Sequence, residues 1–179
     1  MELLDIVDEG GMPTGNVKER RRVHQDGDLH RTSHVWIVRD NDKGGMDVLL
    51  QKRSSIKDSY PGCYDISSAG HIPAGSDFVE SALRELNEEL GIKAAAHDLE
   101  ECGMRRIHYD DIFHGRRFID NQITKVFKIK MNALDIETLH LQKEEVESVM
   151  WMDFDKCEEN VKDNTIKHCI YVEELEMLK

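Results

Sequence analysis

The sequence predicts an α+β protein, with a central mixed sheet sandwiched between helices in an α/β/α arrangement. Three observations carry this. Apolar, β-branched runs lie on both sides of one sharply bounded helical segment in the middle of the chain. Two helical patterns fall at the end, and no internal repeat divides the sequence. Its 179 residues, 39% of them hydrophobic, suit one domain spanning 1–179 with a sizeable core.

Residues 1–32 are weakly patterned and read as an N-terminal extension, in which "GMPTGNVKERRRVH" begins on a turn signal and can add a strand. "SHVWIVRD" and "MDVLLQKRS" are apolar runs separated by the turn cluster "NDKGG", the pattern of a hairpin with strands over 33–40 and 46–53. "YPGCYDISSAGHIPAG" is rich in Gly, Pro and Ser, so a loop enclosing one short strand near 64–69 is expected.

The helix is expected over 78–90. Asp77 can cap it, with Glu80 reaching back, and Gly91 can close it in a left-handed conformation. Val79, Ala82, Leu83, Leu86 and Leu90 form an apolar stripe at helical spacing, and the expectation puts Glu85, Glu88 and Glu89 on the opposite side. Further strands are expected in "ECGMRRIHY", "FIDNQITKVFKIKM" and "EVESVMWM", with a variable loop at 108–118. Helices are expected in "DFDKCEENVKDN" and "IKHCIYVEELEMLK", within 154–179.

Composition excludes several function classes. A net charge of −12 argues against binding a nucleic-acid polymer, which needs a basic face. No apolar run approaches the roughly 18 residues of a membrane helix, and "MELLDIVDEGG" lacks the basic start of a signal peptide. Cys63, Cys102, Cys157 and Cys169 make no Cys-x-x-Cys pair and fit scattered free thiols. A cytoplasmic protein is the expectation.

Glu85, Glu88 and Glu89 stand at i, i+3 and i+4, where like charges weaken a helix by a few tenths of a kcal/mol per pair. An acidic face of this kind is commonly just solvated. Here a glycine-rich loop, "SSAGHIPAGSD", precedes it, Arg84 adjoins it and Gly91 ends it sharply, which favours a cation site. Hard divalent cations take carboxylate oxygens as ligands.

"GHIPAGSDFVESALRELNEELGI" resembles the Nudix box: Gly, five residues, Glu, seven residues, then Arg-Glu-U-x-Glu-Glu-x-Gly-U with U aliphatic. Gly70, Arg84, Glu85, Leu86, Glu88, Glu89, Gly91 and Ile92 match over 70–92; Ser76 stands where the first glutamate is expected. The resemblance implies the Nudix fold and a Mg²⁺- or Mn²⁺-dependent pyrophosphohydrolase acting on a small-molecule diphosphate, a nucleoside diphosphate linked to another moiety. It implies Glu85, Glu88, Glu89 and the Gly70 carbonyl as metal ligands, with Glu88 alternatively the base that orients water. Arg84 would brace the carboxylates, and Asp77 could supply part of the charge lost at Ser76. Glu144, Glu145 and Glu147 are candidate general bases, Glu145 preferred. A homodimer is a further expectation, as among relatives.

A second resemblance, over roughly 1–155, is to the isopentenyl-diphosphate isomerases, through "LHRTSHVWIV" and "LLQKRSSIKDSYPGCYDISSAGH". It implies diphosphate contacts from Arg53 and Lys57 and a second metal on His30, His71 and Asp120. That reaction needs a proton-exchanging pair, yet Ala69 and Gln122 stand where the isomerases carry a cysteine and a glutamate. A hydrolase on an isomerase-like frame is therefore expected. An isomerase and a non-catalytic nucleotide-binding module are the alternatives. Tyr109, Phe113 and Phe118 could stack on a base, with Arg116 or Arg117 on phosphate.

Overall fold

Alternation along β3 (His30–Asp40) sets up the layers: Val35 and Ile37 enter one core, Trp36 and Val38 the other. The computed structural model describes residues 2–113 and 115–179. Among these, β3 pairs with the antiparallel β4 (Met46–Arg53) and with the parallel β8 (Arg116–Lys130), so the sheet is mixed, as expected. Its order is β5-β4-β3-β8-β7, where β5 is Tyr64–Asp65 and β7 is Glu100–Phe113. The short β6 (Ser68–His71) adds to β3, and β9 (Val146–Asp153) adds to β4.

One face of the sheet is covered by α2 (Phe78–Leu90), whose Ala82, Leu86 and Leu90 pack on Val35, Ile37, Leu49 and Phe127. The other is covered by α3 (Phe154–Lys162) and α4 (Val172–Glu176), through Phe154, Cys157, Val161 and Leu175 against Trp36, Val48 and Leu50. Each buried Leu contributes on the order of 2 kcal/mol by leaving water. The α2 boundaries are those read from the sequence: the Asp77 carboxylate accepts from the Glu80 amide, and Gly91 takes φ +72°.

Four expectations are corrected. The stretch 108–118 is no variable loop; β7 and β8 continue through it as a hairpin, from Tyr109 opposite Asp120 out to Phe113 opposite Arg116. The apolar count there is low because one face is solvated. The final segment forms only the short α4, because 164–171 is drawn out beside β5, with Tyr64 donating to the Lys167 carbonyl and accepting from the Cys169 amide. The glycine-rich loop holds two short strands, β5 and β6, instead of one. Residues 3–19 form a two-stranded sheet, β1 (Leu3–Val7) with β2 (Pro13–Glu19), leading into α1 (Arg20–Asp26). This segment packs onto the sheet, with Val7, Leu29 and Ile123 forming a small core.

Candidate active site

Of the three α2 carboxylates only Glu88 sits opposite the apolar stripe as expected. Glu88 is exposed, Glu85 is half-buried, and Glu89 is only 6% exposed, beside Leu86 and Leu90. The α-helical advance of 100° per residue puts position 89 on the border of the packed face. Burial pushes the Glu89 carboxyl up to about 8, with Glu85 nearby adding to the rise. Glu85 is also raised by burial, against the pull of Arg84.

Arg84 donates to Glu85 at 2.7 Å and to the His71 carbonyl at 3.3 Å, and its Nε lies 4.0 Å from Glu88. It braces the carboxylates and ties α2 to β6. A Cβ on Gly70 would come closer than 3.0 Å to the Glu85 carboxylate, so the backbone and that side chain share a space only glycine leaves open. The Ala69 amide points to Glu89 at 3.4 Å.

The segment 139–146 is fastened across the end of α2 by the His140 amide on Leu90 and the Gln142 amide on Glu89. This carries Glu145 to the same cleft, where it pairs with Lys57. Arg53 lies in the cleft wall with its donors engaged by Asp65 at 3.0 Å and by the Ser59 carbonyl. The cleft, about 370 Å³, is thus lined by Glu85, Glu88, Glu89, Glu145, Arg53 and Lys57, a mixture of anions for cations and cations for anions.

His71 and Asp120 also line the cleft, and they belong to a cluster of histidines. His30 Nε2 is 3.5 Å from Asp120 Oδ1; both atoms are buried and have no other hydrogen-bond partner among the described residues. His24, not counted as a ligand from the sequence, joins them: its Nε2 is 3.1 Å from His71 Nε2 and its Nδ1 3.7 Å from Asp120. One ligand atom each from His24, His30 and His71 falls within 4.8 Å of the others. Burial depresses all three imidazoles, His24 to about 4, which favours their neutral forms; in the 3.1 Å His24–His71 contact one Nε2 then donates and the other accepts, and a bound cation would replace that proton. His30 Nδ1 faces the Asp28 carbonyl and His24 Nδ1 the Ile119 carbonyl, which leaves each Nε2 as the ligand atom. The signal for His24 was its place six residues before His30, across Gly27. That glycine turns the chain at φ +73° with Ile119 packed against it.

A NUDIX domain model matches residues 29–170. The chain belongs to the Nudix family. It is 39% identical over 156 residues to Nudix hydrolase 3 of Arabidopsis thaliana, an alignment covering 87% of this chain and 20% of that protein's length. It is 37% identical over 155 residues to an uncharacterized Nudix hydrolase of Clostridium acetobutylicum, covering 87% and 71%. The chain therefore spans about a fifth of the Arabidopsis protein. Among solved structures, a Deinococcus radiodurans protein superposes with a TM-score of 0.70 at 16% identity, covering 98% of each chain, which supports the fold. The chain is a Nudix hydrolase by family, and its relatives carry that name.

The box departure at Ser76 has a local answer. The Ser76 carbonyl accepts from Arg31, which is paired with Asp5 at 3.1 Å, and the Asp5 carboxylate also accepts from the Gly75 amide. An N-terminal aspartate thus holds the Nudix loop. Asp77 is committed to capping α2 and does not replace the missing charge there. At the two isomerase positions, Ala69 offers only its amide, and the Gln122 amide oxygen is held by Thr32 at 2.7 Å. Cys63 lies outside the cleft lining. Cys169 reaches the cleft, but burial pushes its thiol well above its ordinary range.

Proposed function

We propose that this Nudix hydrolase cleaves a diphosphate linkage in a nucleoside diphosphate joined to another moiety, with Mg²⁺ or Mn²⁺ held by Glu85, Glu88, Glu89 and the Gly70 carbonyl. The observation that carries the reading is the buried Glu89 carboxylate beside Glu85, in a space shaped by Gly70, since a buried carboxylate pair is stable in ionised form only with a cation between. A divalent cation bound there would neutralise diphosphate oxygens and acidify the attacking water. Arg84 holds Glu85 in line, Glu88 faces the open cleft where it can take a proton from water, and Lys57 and Arg53 attract the diphosphate. Glu145 is the other proton acceptor in reach of the cleft, and its pairing with Lys57 ties base and phosphate contact together. His24, His30, His71 and Asp120 form the proposed second metal site, with imidazole and carboxylate suited to Mn or Zn. Residues 1–179 act as one unit in this reading, because the N-terminal segment supplies both Asp5 and His24. The reaction is assigned to the cell interior.

Tyr60, Tyr109, Phe113 and Phe118 cluster at the cleft mouth with ring centroids 5.0–6.3 Å apart, Tyr109–Phe118 stacked and the other contacts edge-on, a surface suited to a base. Arg116, with Arg20 and Arg21, lines an adjoining hollow of about 1120 Å³ that has room for the second moiety. Arg117 is paired with Asp110. The isomerase alternative lacks support from the named relatives and from Ala69 and Gln122, neither of which exchanges protons. The binding-module alternative gives no reason to bury Glu89.

The test is phosphate or nucleotide release from a panel of diphosphates with Mg²⁺ and Mn²⁺, run beside Glu88→Gln. Turnover that falls roughly 100-fold or more in the variant is expected, the scale of a lost proton acceptor or ligand. Wild-type protein inert on every diphosphate, yet binding nucleotide without metal, would sink the hydrolase reading.

A further inference from the structure

β7 is the free edge of the large sheet. It is 14 residues long, pairs on one side with β8, and on the other with no strand among the described residues. Proteins usually guard such an edge with lysine, proline or a bulge. β7 contains neither lysine nor proline, and its one irregularity lies at its start, between Glu101 and Gly103.

The register against β8 fixes which backbone groups are free. Phe113 opposes Arg116 across a two-residue connection, and the pair closing such a connection is the hydrogen-bonded one. Bonded and non-bonded pairs alternate from there. Odd-numbered residues of β7 therefore bond β8, while the even-numbered ones direct N–H and C=O outwards. The Ile112 amide agrees, turning to the Asp111 carboxylate instead of β8. The outward set is Met104, Arg106, His108, Asp110 and Ile112, and all five side chains are exposed on one face.

We infer that β7 pairs antiparallel with β7 of a second copy of this chain, about a two-fold axis through His108. Self-pairing must match even residues with even residues, which limits the axis to a residue of the strand. Centred on Ile107, it would set Met104 against Asp110 and Arg106 against His108. Centred on Tyr109, it would set Arg106 against Ile112. Centred on His108, it sets each Arg106 against the other copy's Asp110, and each Met104 against the other copy's Ile112. Met104 is 47% exposed and Ile112 69%, both unusual for large apolar side chains, and this register covers both at once. On the other face the same axis brings Asp111 opposite Arg105, which already donates to Glu174 at 3.2 Å, so the charge match rests on Arg106 and Asp110. The strand is thus a charge palindrome, self-complementary as a two-fold interface must be. Pairing over Met104–Ile112 would supply about ten backbone hydrogen bonds, two for each bonded pair. It also needs the Arg106–Glu9 pair, the Arg106–Asn121 hydrogen bonds and the bidentate Arg117–Asp110 pair, all at exposed residues or their rim, to yield or be shared.

The experiment is sedimentation velocity across micromolar concentrations on the full chain, with Arg106→Asp, Asp110→Arg and the double swap. The wild type is expected to run as a dimer. Each single reversal sets like charges opposite each other and should raise the dissociation constant at least about ten-fold. The double swap, which restores opposite charges, should recover the dimer. In parallel, His108→Cys should form an intermolecular disulfide under mild oxidation, since paired Cα atoms about 5.5 Å apart allow one. A monomeric wild type, or a dimer indifferent to both reversals, overturns the pairing. If a reversal variant misfolds by circular dichroism, the His108→Cys crosslink, present or absent above the wild-type background, decides the question.

Discussion

Gly70 shows how much a single position can carry. It sits in β6 directly under Glu85, with no room for one more carbon. In Gly70→Ala the new methyl must push the Glu85 carboxylate off Arg84 or separate β6 from α2. Overpacking of this kind costs roughly 1–3 kcal/mol. The expected outcome is a stable, folded variant melting a few degrees lower, with activity down 100-fold or more because one carboxylate is misaimed. Near wild-type turnover on the same diphosphate panel would show that the contact is incidental. At this scale the sequence was informative where spacing carried the information: Asp77 caps α2 and Gly91 closes it where the pattern put them. It misplaced Glu89, expected on the side opposite the apolar stripe, because helical phase leaves position 89 between two faces and the neighbouring loop decides which one wins. It was silent on Asp5, whose link to Gly75 and Arg31 spans too many residues for any local pattern to reveal.

At the scale of elements, α4 is the part least visible in the sequence and one of the most firmly held. Only five residues long, it is anchored by the fully buried Glu174. That carboxylate accepts from His34 Nδ1 at 2.9 Å, from Trp36 Nε1 at 2.9 Å and from Arg105 at 3.2 Å. Read as one amphipathic run, 166–179 looked like a helix; the polar anchor and the strand-like stretch beside β5 override that periodicity. The pair has a pH signature. Glu174 lifts the His34 imidazole above its ordinary value despite burial, and His34 holds Glu174 below the usual carboxylate range. A raised histidine gives stability that is complete below about 6.5 and is lost as pH rises through its folded value. A lowered carboxylate gives stability that is present above about 4.5 and is lost as pH falls through its folded value. Both contributions are therefore full between about pH 4.5 and 6.5. Melting temperature followed from pH 5 to 9 should fall on the alkaline side, and Glu174→Gln should flatten that fall while lowering stability at pH 5.5 by roughly 3–5 kcal/mol, the cost of breaking a buried pair. A variant with the same slope as the wild type would assign the pH dependence elsewhere.

Across the whole molecule, the chain gathers anions it does not internally neutralise. Its net charge is −12, and one cleft draws Glu85, Glu88, Glu89, Glu145 and Asp120 together from α2, the segment before β9 and β8, with His71 of β6 in its lining and His24 and His30 clustered with His71. Cation binding in such a cleft relieves the repulsion among its carboxylates, so it should be read in global stability. A ligand at a hundred times its dissociation constant stabilises by about 2.7 kcal/mol, and for a chain of this length each kcal/mol moves the midpoint by roughly 2–4 °C. Mg²⁺ added to EDTA-treated protein should therefore raise the melting temperature by about 5–10 °C, an effect visible without substrate. Glu89→Gln, which keeps the shape but removes one charge, should lose most of that response. His71→Ala should keep the Mg²⁺ response and lose only an additional Mn²⁺-specific increment, because imidazole ligands favour the softer ion. The two variants separate the two clusters: equal loss of both responses in both variants would mean a single shared cation, bridged between α2 and the histidines, and an undiminished Mg²⁺ shift in Glu89→Gln would remove the carboxylates of α2 from the binding site altogether.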